Sequence, residues 1–466
     1  MEIAKNSFIM VFTVVVTLLL NYFFNIVLGW FLSTNEYGIY GASISLMMIL
    51  SVFVTSGFPL TVAKILSEKI SMTKKLRAFK TAVYGNFLIA VLISGLFLIV
   101  YSKLNFGWNE CIEYLIVLYL LLSAVVACYR GALQGLFKFK KLSVANIFGT
   151  IVKLLCGVVL VIIGMGVSGV LLGILLGVFA SLMLMVKCVG LNFLHIKGFE
   201  KRVFSFAIPM FIGILSITFI QNIDLITLKF ITHSDTLAGY YQAAITIARL
   251  PYWIACAILS VAFSYISSEK RRIYADKLLK YVVMFLIFPS LFVAISPQSF
   301  IRLIYPERYM PASKALLFSV FALNFLTINQ VLSSILQAAN KPEIPAKLLS
   351  VGLIVQLIFL FVLIPAIGLI GAPISTLISM IICFFPLLRN YLKIFCSRLK
   401  IRDIIKFTAI SLLSLMLFEV IPRCSVVFLI LDFTFSMSIY LLLLWSSGLF
   451  DKKDTKMLFQ IIYKKW

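Results

Sequence analysis

The sequence predicts an all-α polytopic membrane protein of about fourteen transmembrane helices, and three observations predict it. Of its 466 residues, 62% are hydrophobic and only 12% charged, whereas a soluble domain is about half apolar and a quarter charged. Apolar runs recur evenly, each with the roughly 20 residues that a helix rising about 1.5 Å per residue needs to cross a bilayer. The cations, 41 Lys and Arg against 17 Asp and Glu, gather between those runs, as in KKLRAFK (74–80), KFKK (138–141) and EKRRIYADKLLK (269–280). Distributed in that way, the net charge of +24 reads as loops facing anionic headgroups and points away from nucleic acid.

Splitting the runs at charge clusters and at Gly/Pro turns places the spans in order at 8–32, 38–62, 79–101, 112–135, 142–164, 167–188, 204–230, 238–263, 278–297, 314–338, 346–366, 369–390, 404–421 and 425–449. The first run is too long for a signal segment and no small-residue cleavage site follows it, so it is expected to be retained. With the N-terminus inside, outer loops hold only Lys103, Lys229, Arg302, Arg308, Lys314 and Arg423. Lys153 and Arg249 lie deep in spans, and every other cation falls on the inner face. A miscount of one span would invert every later loop and erase this asymmetry, so both termini are expected in the cytoplasm of a cell-membrane protein.

The halves align at an offset of about 202. EYGIYGASI (36–44) matches LAGYYQAAI (237–245), and ILSEK (65–69) matches ISSEK (266–270). LQGLFKFKKLSVANIFGTIVKLL (133–155) matches LQAANKPEIPAKLLSVGLIVQLI (336–358), and GMGVSGVLLG (164–173) matches PAIGLIGAPIS (365–375). Each unit carries an even number of spans, so both enter the membrane in the same sense and a central site belongs at their interface. The expected division is 1–200 (helices 1–6), 201–400 (helices 7–12) and 401–466 (helices 13–14 and a cytoplasmic tail).

Catalysis has no visible seat. Outer loops are short, and there is no Walker A motif, Ser/His/Asp set or dinucleotide fingerprint. The eight cysteines are scattered without a C-x-x-C pair, so neither a metal nor a disulfide framework is expected. His195 and His233 fall in loops.

A charge near the bilayer centre costs from about 2.5 to over 10 kcal/mol, so each one implies a partner or a wet cavity. Lys153 lies too deep to snorkel and either lines a cavity or tethers backbone carbonyls; its repeat mate is Gln356. Arg249, near mid-depth and followed by the helix-opening Pro251, serves a cavity or an ion pair. Asp224 lies close enough along the antiparallel spans 7 and 8 to pair with Arg249, or it binds a proton or cation. Asp432 falls near an outer end and reads as interfacial. Arg130, Gln134 and Gln337 suit an inner-gate polar ring or headgroup anchors. Asn21, Asn25, Gln221 and Asn222 place amides in spans 1 and 7, with Asn21 and Asn222 equivalent, which suits either sugar recognition or interhelical bonding.

On NIDLITLKFITHSDTLAGYYQAAITIARLP, on YRGALQGLFKFKKLSVANIFGTIVKLL with GMGVSGVLLG, and on the duplicated six-span unit, the chain resembles polysaccharide transporters of the Wzx type. These lie in the superfamily that also holds MATE multidrug exporters and MurJ-type lipid II flippases. The resemblance implies a V-shaped, two-lobed, non-enzymatic flippase that moves polyprenyl-diphosphate-linked glycans to the outer leaflet by alternating access. It implies no cofactor beyond proton or sodium coupling, and as partners the lipid-linked glycan, anionic lipids and other polysaccharide assembly proteins. Helices 13 and 14 would then form a groove for the lipid tail. Lys153 and Arg249 against Asp224 give a cationic balance that suits a diphosphate. A MATE-like exporter of cations would invert that balance, and the chain lacks the dense arginine cluster of lipid II flippases.

Overall fold

A computed structural model describes residues 2–68, 70–104, 108, 110–190, 198, 200, 202–266, 271–339, 341–395, 401–416 and 426–447. Among these residues all regular structure is helical, as a lipid solvent that offers the backbone no hydrogen bonds requires. In chain order the helices are α1 (Glu2–Phe31), α2 (Thr34–Thr55), α3 (Phe58–Ser67), α4 (Met72–Leu104), α5 (Glu110–Gly135), α6 (Phe139–Leu160), α7 (Gly166–Val189) and α8 (Arg202–Thr232). They continue with α9 (Asp235–Ile266), α10 (Arg271–Ile295), α11 (Pro297–Ile304), α12 (Ala312–Ala338), α13 (Glu343–Ile367), α14 (Gly371–Phe395), α15 (Ile401–Met416) and α16 (Val426–Ser446).

Helix covers at least part of each of the fourteen expected spans. Among the described residues nine stretches are long and apolar enough to cross a membrane. Three of them, Thr34–Ser67, Phe139–Val189 and Glu343–Phe395, each contain a pair of helices. The helices α15 and α16 contribute shorter apolar segments, so these stretches do not by themselves fix the number of crossings.

Two elements depart from the sequence reading. The second expected span is broken, with α2 ending at Thr55 and α3 beginning at Phe58. Pro59, in the first turn of α3, has no N–H to offer the Thr55 carbonyl, and its ring crowds the preceding turn. The stretch after span 9, read as an outer loop, forms the short helix α11, which is held down by the buried Ile301 with Tyr305 and Tyr309 beyond its end.

The duplication is visible in the backbone. Between α6 and α7, Gly166 adopts φ 51° and ψ −135°; between α13 and α14, Gly368 adopts φ 60° and ψ −131°. Side chains rarely enter that region, so the matched glycines of the two repeat segments make the same reversal. The chain divides into two compact units, Phe8–Gly239 and Tyr240–Trp466 with Met1–Ser7; the first continues through α8. In that unit, apolar packing around Phe58, Phe79, Val126, Leu133 and Leu182 forms the core. The buried Asn86 of α4 donates to the carbonyls of Val54 (2.8 Å) and Ala124 (2.7 Å), tying α4 to α2 and α5. In the second unit, Asn329 of α12 donates to the Met380 carbonyl of α14 at 2.8 Å.

Candidate substrate site

The first unit gathers a polar cluster around the middle of α1. Thr13, Thr17, Asn21 and Asn25 recur every fourth residue, so they form one slowly winding stripe. Each donates to the carbonyl four residues back, at 2.6, 2.8, 2.7 and 2.7 Å respectively. These back-bonds occupy the side-chain donors within the helix and leave the amide oxygens of the two Asn residues for other groups. Tyr40 of α2 donates to Asn25 Oδ1 at 3.0 Å, and Tyr37 donates to the Asn25 carbonyl at 3.1 Å.

Lys153 of α6 donates through Nζ to Asn21 Oδ1. The ammonium also lies 4.7 Å from the centroid of the buried Phe24 ring. Close packing of α6 on α7 fixes its backbone: a Cβ at Gly177 would lie 3.0 Å from the Lys153 nitrogen. The lysine sits roughly 21 Å along the axis from the start of α6. Among the described residues its partners are a neutral amide and an aromatic face, with no carboxylate. Such an ammonium is not neutralised by an ion pair among the described residues, and the ring quadrupole offsets part of its desolvation.

The other expected residues divide. Gln356, the repeat mate of Lys153, is fully buried and donates to Thr376 Oγ1 of α14 at 2.8 Å. The two equivalents thus reach different neighbours, Lys153 toward α1 and Gln356 toward α14. Asn222 is buried and donates to the Thr218 carbonyl at 2.8 Å, and Gln221 is half-buried beside it. Asp224 is 2% exposed, and its Oδ1 accepts the Leu225 N–H at 2.8 Å. Asp224 belongs to the first unit and the half-buried Arg249 to the second. Arg130 is exposed and Gln134 half-buried near the end of α5, and Gln337 is exposed near the end of α12 in the other unit.

Two charges differ from their sequence reading. Lys229, assigned to an outer loop, lies in the last turn of α8 and is buried. It pairs with Asp235 in the first turn of α9 and lies 4.8 Å from the Trp108 ring centroid. Asp432, read as interfacial, is fully buried and accepts from Ser436 at 3.1 Å. Distance from a helix end gave its depth but not its facing. The lipid side of α16 carries Leu431, Phe435 and Leu442, all exposed, whereas Asp432, Ser436 and Tyr440, spaced by four, are buried, with Tyr440 donating to the Met284 carbonyl at 2.9 Å. His233 caps α8 with φ 49°, its N–H donating to the Lys229 carbonyl at 2.9 Å, a backbone role. His195 lies outside the described residues.

Sequence reasoning missed Phe24, Tyr40, Thr13 and Thr17. The four-residue period of the α1 stripe was a usable signal; nothing in the sequence marks Phe24 among the other aromatics.

Residues 3–270, more than half of the chain, match the family described as polysaccharide biosynthesis protein. The chain is 26% identical over 413 residues to "Uncharacterized membrane protein MJ1375" of Methanocaldococcus jannaschii, covering 82% of this chain and 96% of that protein. In fold it is similar to the lipid II flippase MurJ in an inward closed conformation, with a TM-score of 0.76, 17% identity and coverage of 94% of this chain and 97% of that one. It is also similar to an inward-facing multidrug resistance MATE family transporter of the MOP superfamily, with a TM-score of 0.62, 13% identity and coverage of 82% and 96%.

Proposed function

We propose, from the premise that the chain belongs to the polysaccharide biosynthesis protein family, that it is a non-enzymatic flippase for polyprenyl-diphosphate-linked oligosaccharide. In this reading it moves the headgroup from the inner to the outer leaflet of the cell membrane by alternating access, with both termini cytoplasmic. Lys153 carries the proposal: an ammonium in the middle of a transmembrane helix, held by Asn21 and Phe24 and without a carboxylate among the described residues. A site built for organic cations would place the opposite charge there. Diphosphate oxygens would take the ammonium, and the Asn21, Asn25 and Tyr40 groups beside it supply the neutral hydrogen bonds that sugar hydroxyls need. The buried Asp224 is our candidate for proton or sodium coupling.

The deciding experiment is depletion of the protein followed by leaflet-resolved measurement of lipid-linked glycan. Accumulation on the inner leaflet is expected, and its absence would sink the flippase reading. A cation antiporter would instead leave the glycan distribution unchanged and tolerate neutralisation of Lys153.

A further inference from the structure

We propose that the C-terminal end of α14 carries a binding site for the phosphate headgroup of an inner-leaflet lipid. An open recess of about 510 Å³ is lined there by Phe385, Pro386, Arg389, Asn390 and Lys393. Phe385, Arg389 and Lys393 are spaced by four and therefore share a helix face, and all three are exposed. Asn390 donates to the Pro386 carbonyl at 2.9 Å, which holds its amide beside the recess.

The opposite face keeps this end of α14 in place. Leu387 and Tyr391 are fully buried, the Tyr391 hydroxyl donates to Asp276 of α10, and its ring stacks on Phe395 with centroids 5.3 Å apart. Two cations one turn apart, about 6 Å along the axis, can share the oxygens of one phosphate or diphosphate as charge-assisted donors. Phe385, one turn deeper, offers apolar surface to the start of the lipid chain.

Cations clustered at cytoplasmic helix ends also serve as simple anchors, so the repeat provides a comparison. At the offset of about 202 the equivalent of Arg389 is Lys187 on α7, likewise exposed. The equivalents of Pro386 and Lys393 are Leu184 and Leu191. One half therefore has a single cation on this helix face, with Lys138 at the start of α6 committed to the Cys188 and Val189 carbonyls beside it, and the other a recess with paired cations. By the charge asymmetry of the loops this end of α14 is assigned to the cytoplasmic side, where clustered Lys and Arg attract acidic headgroups.

The test uses the full-length protein in phosphatidylcholine nanodiscs, titrated in one arm with phosphatidylglycerol and in the other with undecaprenyl diphosphate, with lipid binding read by native mass spectrometry. The variant Arg389→Gln/Lys393→Gln should bind at least tenfold more weakly in an arm where the wild type binds, and Lys187→Gln should bind as the wild type does. A preference for diphosphate that the double variant loses and Lys153→Met keeps would identify a diphosphate lipid as occupant; equal binding in the two arms, lost in the double variant, would identify acidic headgroups in general. Unchanged affinity of the double variant in both arms, or an equal loss in Lys187→Gln, overturns the proposal. Arg389→Lys/Lys393→Arg keeps both charges and should retain binding, which separates a lost site from a misfolded protein. The readout is equilibrium binding, so it stands or falls independently of transport.

Discussion

Replacing Lys153 by Met tests the candidate site directly, because its effects on folding and on transport are expected to separate. The substitution removes the hydrogen bond to Asn21 Oδ1 and the ammonium over the Phe24 ring, together worth about 1–3 kcal/mol. It also removes a cation from mid-membrane, where even the lowest measured penalty is about 2.5 kcal/mol. These contributions nearly cancel, so thermal unfolding in detergent should shift little. Transport loses a charge-assisted contact worth roughly 1.5–3 kcal/mol, or about 10- to 150-fold in kcat/KM. The assay is translocation of a lipid-linked oligosaccharide in proteoliposomes over a range of substrate concentrations, beside a thermal melt of the same preparation. Wild-type transport by Lys153→Met would refute the anion-site reasoning. Loss of transport in step with a large loss of stability would show instead that the lysine is a structural tether.

Four further outcomes are expected. Asn21→Asp places a carboxylate against the Lys153 ammonium and should depress transport about as far as Lys153→Met does, without destabilising the fold; unaltered transport would count against an anion site. Gly166→Ala and Gly368→Ala both force a side chain into a glycine conformation at about 1–3 kcal/mol, but a Cβ at Gly166 also meets Glu36 Oε1 at 2.7 Å while Gly368 has open space, so melting should show the larger loss at Gly166. Asp235→Ala leaves the buried Lys229 without its carboxylate and should cost about 1–3 kcal/mol, below the usual figure for a buried pair because Asp235 is 33% exposed, with Lys229→Met/Asp235→Ala recovering much of the loss in a double-mutant cycle. Asp224→Asn removes a buried carboxylate and should lower transport while leaving the melt little changed; wild-type transport by this variant would exclude Asp224 from ion coupling.

The helices were legible in the sequence because membrane insertion depends on one-dimensional properties, namely apolar length and charge placement. The break between α2 and α3 was legible too, in SGFP (56–59), and was passed over because the apolar run continues through it. The site was legible only in part. Lys153 and Asn21 each stood out as polar groups at depth, but their contact joins residues 132 positions apart, and lateral packing order is not written in hydropathy. Phe24 is chemically the same as the exposed Phe23 beside it; only the direction each faces separates a cation's support from lipid contact. Asp432 shows the same ambiguity, since counting residues from a helix end measures depth and leaves azimuth undetermined.

The repeat constrains mechanics and chemistry to different degrees. Gly166 and Gly368 keep the same unusual dihedrals because each reversal uses them and any other side chain is strained there. At the polar position one helix earlier the halves have diverged to Lys153 and Gln356. A second lysine at that level would cost at least about 2.5 kcal/mol more and would need its own amide and ring. Gln356 retains polarity without charge, and its bond to Thr376 fastens α13 to α14. A similar difference recurs on the matching faces of α7 and α14, where Lys187 has no second cation one turn on and Arg389 is followed by Lys393. Backbone geometry is thus kept between the repeats at Gly166 and Gly368, while the cations at matched positions differ, an asymmetry that the proposed binding of one anionic headgroup would use.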